Sequence, residues 1–150
     1  MSVFSIELTN VTFTAIDKYD CLERMMKSFQ EHGFIDDFQP FFEELKTREN
    51  KYTTGIGYGI AIPHIRHKSI TQLRAAVYLL DKPIDYESVD RVKVRLVVMF
   101  VIPEDRMAEY LHVIQKITGF LRSAENREKV LKVTDENELY QIFRGLENEL

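Results

Sequence analysis

The chain has 150 residues, 45% of them hydrophobic and 29% charged, a composition that predicts one globular domain over residues 1–150. Its 20 Lys and Arg stand against 24 Asp and Glu, and a net charge of -4 points away from nucleic acid and anionic membranes as partners. The longest apolar run, Leu96 to Ile102, falls far short of the roughly 20 residues that a membrane crossing takes.

The first predicted element is a helix from about Asp17 to Glu31. Asp17 is placed to cap it, Leu22, Met25, Met26 and Phe29 recur at helical spacing, and Gly33 is placed to end it. A second helix is predicted from about Asp37 to Arg48, with Pro40 in its first turn and Phe41, Phe42 and Leu45 as its apolar stripe. From Thr53 to His64 the chain is punctuated by glycine and β-branched residues, which predicts a loop and then a short extended segment ended by Pro63. Gln72 to Asp81 and Val92 to Ile102 read as strands. The second turns continuously apolar, as a strand does when both faces of its sheet are covered. Pro103 stops it, Glu104 and Asp105 begin a helix carrying Leu111, Ile114, Ile117, Phe120 and Leu121, and two further helices are predicted at Ala124–Leu131 and Glu136–Phe143. Central strands with helices before and after them predict an α/β sandwich.

The N-terminal segment has no basic-then-apolar layout, and the single cysteine, Cys21, allows neither an internal disulfide nor a multi-cysteine metal cluster, so the expected setting is the cytoplasm.

Three of the six glycines, Gly55, Gly57 and Gly59, fall within five residues, and His64 follows. Glycine at that density lets backbone N–H groups converge on an anion, with Thr53 and Thr54 adding hydroxyls. The alternative is a plain turn at a sheet edge, and spacing alone leaves both open. A dinucleotide loop is excluded because no strand precedes the glycines and Ala61-Ile62-Pro63 follows them in place of a helix. No Gly-Lys-Ser/Thr is present for a Walker loop.

Of the four histidines, His32 is expected at the surface beside Gly33. His64 and His67 lack an obvious third ligand, so no metal site is expected. His112 sits on an apolar helix face, either as a core histidine or, just past the end of a strand, as a site residue. Arg48 ends the second helix, where it complements the helix dipole or aims its planar fork at a phosphoryl group on His64.

Taken together, Arg48, then Thr54-Gly55-Ile56-Gly57-Tyr58-Gly59-Ile60-Ala61-Ile62-Pro63-His64, then Leu79 to Tyr86, the strand to Pro103 and His112, resemble the enzyme IIA domains of the fructose/mannitol and nitrogen-related class of the bacterial phosphoenolpyruvate-dependent sugar phosphotransferase system. The resemblance spans nearly the whole chain. It implies a central mixed β-sheet flanked by helices on both faces, a three-layer sandwich. His64 matches the histidine that takes a phosphoryl group from the phosphocarrier HPr and passes it to a cysteine of enzyme IIB. His112 matches an assisting histidine, Arg48 the arginine that stabilises the phosphoryl group, and Thr54 a threonine beside the site, with Gly55, Gly57 and Gly59 as the phosphoryl-binding loop. No cofactor is implied.

Tyr58, Arg66-His67 and Arg95 depart from the family pattern. The leading expectation is a phosphoryl carrier in sugar uptake. The alternative is a nitrogen-related regulatory domain whose His64 phosphorylation controls binding to other proteins, and a third is an anion-binding module that has lost transfer. Around His64, Ile60 is expected in the core, Tyr58 exposed, and Ile65 either in the core or at a docking face.

Overall fold

The structure, a computed structural model that describes residues 2–148, runs β1 (Phe4–Phe13), α1 (Lys18–Glu31), α2 (Phe38–Lys51), β2 (Gly55–Gly57), β3 (Ile60–Ala61), β4 (His64–His67), β5 (Arg74–Ile84), β6 (Val94–Pro103), α3 (Met107–Leu121), α4 (Ala124–Leu131) and α5 (Glu136–Asn148). The helix starts follow local chemistry. The Asp17 carboxylate accepts from the backbone N–H of Asp20 at 2.9 Å and caps α1, and Asp37 accepts from Gln39 N–H at 3.1 Å and caps α2. Gly33 follows α1 with φ +78°, a left-handed turn residue just past the helix end.

The strands form a six-stranded mixed sheet in the order β1-β5-β6-β3-β2, with β4 pairing β6 farther along its length. β1 runs parallel to β5, β5 antiparallel to β6, and β3 and β4 both parallel to β6. Residues on β6 alternate between two cores. Val97, Met99 and Val101 join the cluster built by Leu22, Met25, Phe29, Phe42 and Leu45 of α1 and α2. Leu96, Val98, Phe100 and Ile102 join the cluster built by Val113, Ile117 and Leu121 of α3 with Val130, Leu139 and Phe143 of α4 and α5. A strand covered on both faces is apolar at every position, which is why residues 96–102 read as one run. The arrangement is the predicted three-layer α/β sandwich, a single domain. No helix among the described residues is long and apolar enough to cross a membrane.

Some elements differ from expectation: the chain resumes as β4 at His64, beyond Pro63, where the sequence predicted the extended segment to end. Residues 4–13 form a strand that the sequence reading left unassigned. Their burial does not alternate cleanly, and the pairing with β5 shifts register twice, so the two-residue period that marks a strand is broken. The apolar face of α3 is also partly displaced: Ile117 and Leu121 are buried as expected, but Tyr110 and Val113 take the places expected of Leu111 and Ile114. Its buried positions are Tyr110, Val113, Ile117 and Leu121, while Leu111 is half exposed.

Candidate functional site

His64 opens β4, directly after Pro63, and is held beside the central strand by sheet pairing. The backbone N–H of Phe100 donates to the Pro63 carbonyl at 3.0 Å, and His64 stands opposite Phe100 in the parallel β4–β6 register. The ring is partly buried, with Nδ1 3.4 Å from the Ile62 carbonyl oxygen. Assigning the Nδ1 proton to that contact leaves Nε2 with a free lone pair. Burial lowers the His64 pKa below its ordinary value of 6.5, and the nearby Arg48 charge lowers it further. The ring is therefore neutral at pH 7 and presents a nucleophilic nitrogen.

His64 faces a cleft of about 340 Å³ that it shares with Leu45, Arg48, Glu49, Tyr52 and Thr54. α2 supplies one wall through its last turns, and the chain leaving α2 supplies the other. Arg48 is half exposed, with one guanidinium nitrogen 3.5 Å from Glu44 Oε1 on the preceding turn. Thr54 lines the same cleft, but its hydroxyl is turned inward and donates to the Glu49 carboxylate.

Glu49 was not singled out by the sequence reading. Its buried carboxylate is 2.8 Å from Lys18 Nζ, accepts from Thr54 N–H at 3.2 Å and accepts from the Tyr86 hydroxyl at 3.2 Å. The Lys18 ammonium also lies 4.5 Å from the Tyr86 ring centroid. Burial holds the Tyr86 phenol well above its ordinary pKa, so it remains a donor. This network ties the starts of α1 and β2 to the end of α2 and fixes Thr54 in the cleft wall. Local spacing carries little trace of it, because Lys18 and Tyr86 each lie more than thirty positions from Glu49 in the chain.

The three glycines do not line the His64 cleft. They pack the 55–61 hairpin against the loop at 87–93. A Cβ on Gly55 would lie 2.2 Å from Ser88 Oγ, Gly57 has φ +104° with Asp90 beside it, and Gly59 has φ +80° with the Lys93 carbonyl 3.2 Å from a built Cβ. Backbone N–H groups of the turn are committed elsewhere: Gly55 N–H donates to Thr53 Oγ1 at 3.1 Å, and that of Tyr58, between two of the glycines, donates to Asp90 Oδ2 at 2.8 Å. The expected phosphoryl-binding loop of Gly55, Gly57 and Gly59 is, in this structure, a tight turn and a close-packing surface.

His112 does not reach His64. It lies exposed on α3, and the residue that reaches His64 from this helix is Tyr110, with ring centroids 5.3 Å apart. Residues two apart on a helix point about 200° away from each other, so a helix that turns Tyr110 inward turns His112 outward. The repeat Tyr110, Val113, Ile117, Leu121 was the signal that could have found Tyr110.

His64 and His67 leave opposite faces of β4: His64 meets Tyr110, whereas His67 packs on Phe41 of α2 with centroids 5.2 Å apart. Among the described residues no three His, Cys, Asp or Glu side chains cluster as a metal site would require. Tyr58 is exposed beneath the Arg127 guanidinium, while Ile60 and Ile65 are buried in the two cores.

The fold is a mixed sheet between two helical layers, with a histidine at the head of a short strand and an arginine in the same cleft. The family model described as "Phosphoenolpyruvate-dependent sugar phosphotransferase system, EIIA 2" matches residues 2–145, and the chain belongs to that family. It is 35% identical over 112 residues to the nitrogen regulatory protein of Pseudomonas aeruginosa, covering 75% of this chain and 73% of that one. It is 29% identical over 127 residues to the fructose-specific EIIABC component of the phosphotransferase system of Bacillus subtilis, covering 85% of this chain and 20% of that one. The crystal structure of nitrogen regulatory protein IIA-Ntr from Neisseria meningitidis superposes with a TM-score of 0.87 at 25% identity, covering 94% of this chain and 96% of that one.

Proposed function

We propose that the chain is a histidine phosphotransferase of the cytoplasm that carries a phosphoryl group on Nε2 of His64. The observation that carries this reading is the His64 ring itself: Nδ1 against the Ile62 carbonyl, a depressed pKa, and Arg48 in the same cleft. In loading, the Nε2 lone pair forms a bond to phosphorus as the N–P bond of a donor phosphohistidine breaks, and that bonding pair returns to the donor ring. The donor fits HPr. In unloading, an acceptor thiolate on enzyme IIB forms the S–P bond, and the N–P electron pair returns to Nε2. The proton stays on Nδ1, which donates to the Ile62 carbonyl throughout. Transfer of this kind needs alignment and charge neutralisation more than covalent help, and the Arg48 fork supplies the cation. No cofactor enters the scheme.

The acceptor thiol belongs to a partner, because Cys21 is fully buried in α1 and burial pushes its pKa up to about 12. The sequence favoured sugar uptake. The 35% identity to a nitrogen regulatory protein supports the second reading, in which the phosphorylation state of His64 governs binding to other proteins. Both readings use the same chemistry. Label transfer from phosphoenolpyruvate through enzyme I and HPr tests that chemistry. Chase of the labelled chain with a cognate enzyme IIB separates the two: onward transfer to its cysteine supports uptake, and a stable phosphoprotein that changes its binding partners supports regulation.

A further inference from the structure

Four aromatic rings form a column from the core to the site. Phe4 of β1 meets Phe100 of β6 edge-on with centroids 6.4 Å apart, Phe100 meets Tyr110 of α3 edge-on at 5.1 Å, and Tyr110 lies tilted by 34° over His64 at 5.3 Å. Phe4 and Phe100 are essentially inaccessible to water and Tyr110 is 6% exposed, so the column is braced on three elements before it reaches the imidazole. A ring held this way has one orientation, and it limits the planes the His64 ring can take. The third ring of the column, Tyr110, carries a hydroxyl. Among the described residues, that hydroxyl makes no hydrogen bond, whereas the other buried phenol near the site, Tyr86, is bonded to Glu49 and Thr54.

We propose that Tyr110 is a positioning residue for phosphoryl transfer: its ring fixes the plane of the His64 imidazole, and its hydroxyl donates a hydrogen bond to an oxygen of the phosphoryl group on Nε2. The proposal rests on the reading of His64 as the phosphoryl acceptor. The hydroxyl is suited to the task because burial pushes its pKa up to about 12, so it keeps its proton at any physiological pH. The incoming group carries negative charge. The half-exposed Arg48 approaches from α2, and a donor on α3 completes the neutralisation from a second element. Only the N–P bond is made or broken, and Tyr110 neither gains nor loses a proton. His112, the histidine on the same helix, is turned to solvent and does not compete for the role.

Two variants separate the hydroxyl from the ring. Tyr110→Phe keeps the column and removes only the donor. It is expected to match wild type in thermal midpoint and in the His64 tautomer read by imidazole ¹⁵N NMR. Its phosphoryl exchange equilibrium with HPr is expected to shift about tenfold toward phospho-HPr, the scale of one lost hydrogen bond to a charged group. Tyr110→Leu removes the ring as well, and its His64 is expected to show a mixed tautomer population in addition to that shift. A Tyr110→Phe protein whose exchange equilibrium equals that of wild type overturns the proposal while leaving His64 as acceptor intact. A wild-type chain that takes no phosphoryl group from phospho-HPr overturns the acceptor reading and the proposal with it.

Discussion

Lys18 Nζ lies 2.8 Å from Glu49 Oε2, and both side chains are almost wholly withdrawn from water. The pair holds the start of α1 against the end of α2, and through Glu49 it holds Thr54 in the wall of the cleft. Removing one partner leaves a buried charge unpaired. Lys18→Met is expected to lower unfolding stability by about 3–5 kcal/mol. Lys18→Met combined with Glu49→Gln is expected to recover much of that loss, since the stranded carboxylate is gone. Urea denaturation of the single and double variants measures both. A Lys18→Met protein as stable as wild type contradicts the network.

The contact of Gly55 with Ser88 gives a prediction that separates packing from anion binding. A methyl group at position 55 would sit 2.2 Å from Ser88 Oγ. Gly55→Ala is expected to destabilise the fold by about 1–3 kcal/mol through overpacking. Adding Ser88→Gly is expected to return part of it. The correctly folded fraction of Gly55→Ala is expected to accept phosphoryl label at the wild-type rate. Full stability with lost labelling would instead assign the glycine loop to the phosphoryl group.

His112 faces solvent on the side of α3 away from Tyr110. His112→Ala is expected to be labelled by phospho-HPr at a rate within about twofold of wild type, as surface substitutions away from a site usually are. Stopped samples resolved by phosphate-affinity gels suffice for the comparison, and a tenfold slower variant would place His112 back in the reaction.

The direction of the His64 shift sets a pH dependence. Burial, with the smaller help of Arg48 and against the hydrogen bond to Ile62, holds its pKa below 6.5, so the folded protein binds this proton more weakly than the unfolded chain does. Loading is therefore expected to stay level as pH falls to 6.5 and to decline only below it. The stability contribution runs the same way: it is complete above 6.5 and is lost as pH falls through the folded pKa. An NMR titration of the His64 ring reads the midpoint directly. Arg48→Ala is expected to move that midpoint upward and to slow loading by about tenfold, the loss of one charge-assisted contact. An unchanged midpoint in that variant contradicts the electrostatic role given to Arg48.

The features that were legible in the sequence are those encoded over short spans. Asp17 and Asp37 cap the helices that their positions predicted, and the run at 96–102 is the doubly covered strand. Arg48, Thr54 and His64 line one cleft. What stayed hidden depends on partners distant in the chain. Gly55 looks the same in isolation whether an anion or Ser88 occupies the space beside it. Lys18 and Glu49 are ordinary helix residues until the fold buries them together. On α3, where apolar residues crowd several faces, a periodicity read from Leu111 drew attention to His112 and left Tyr110, two positions earlier, unnoticed. β1 was missed because its register shifts against β5 erase the alternation that identifies a strand.

The central claim is that His64 carries the phosphoryl group. Its most direct test is incubation of the wild-type chain and His64→Ala with radiolabelled phosphoenolpyruvate, enzyme I and HPr, followed by measurement of acid-labile label on each. The account predicts stoichiometric label on the wild type and none on His64→Ala. Label retained by His64→Ala, or a wild-type chain that stays unlabelled, would contradict it.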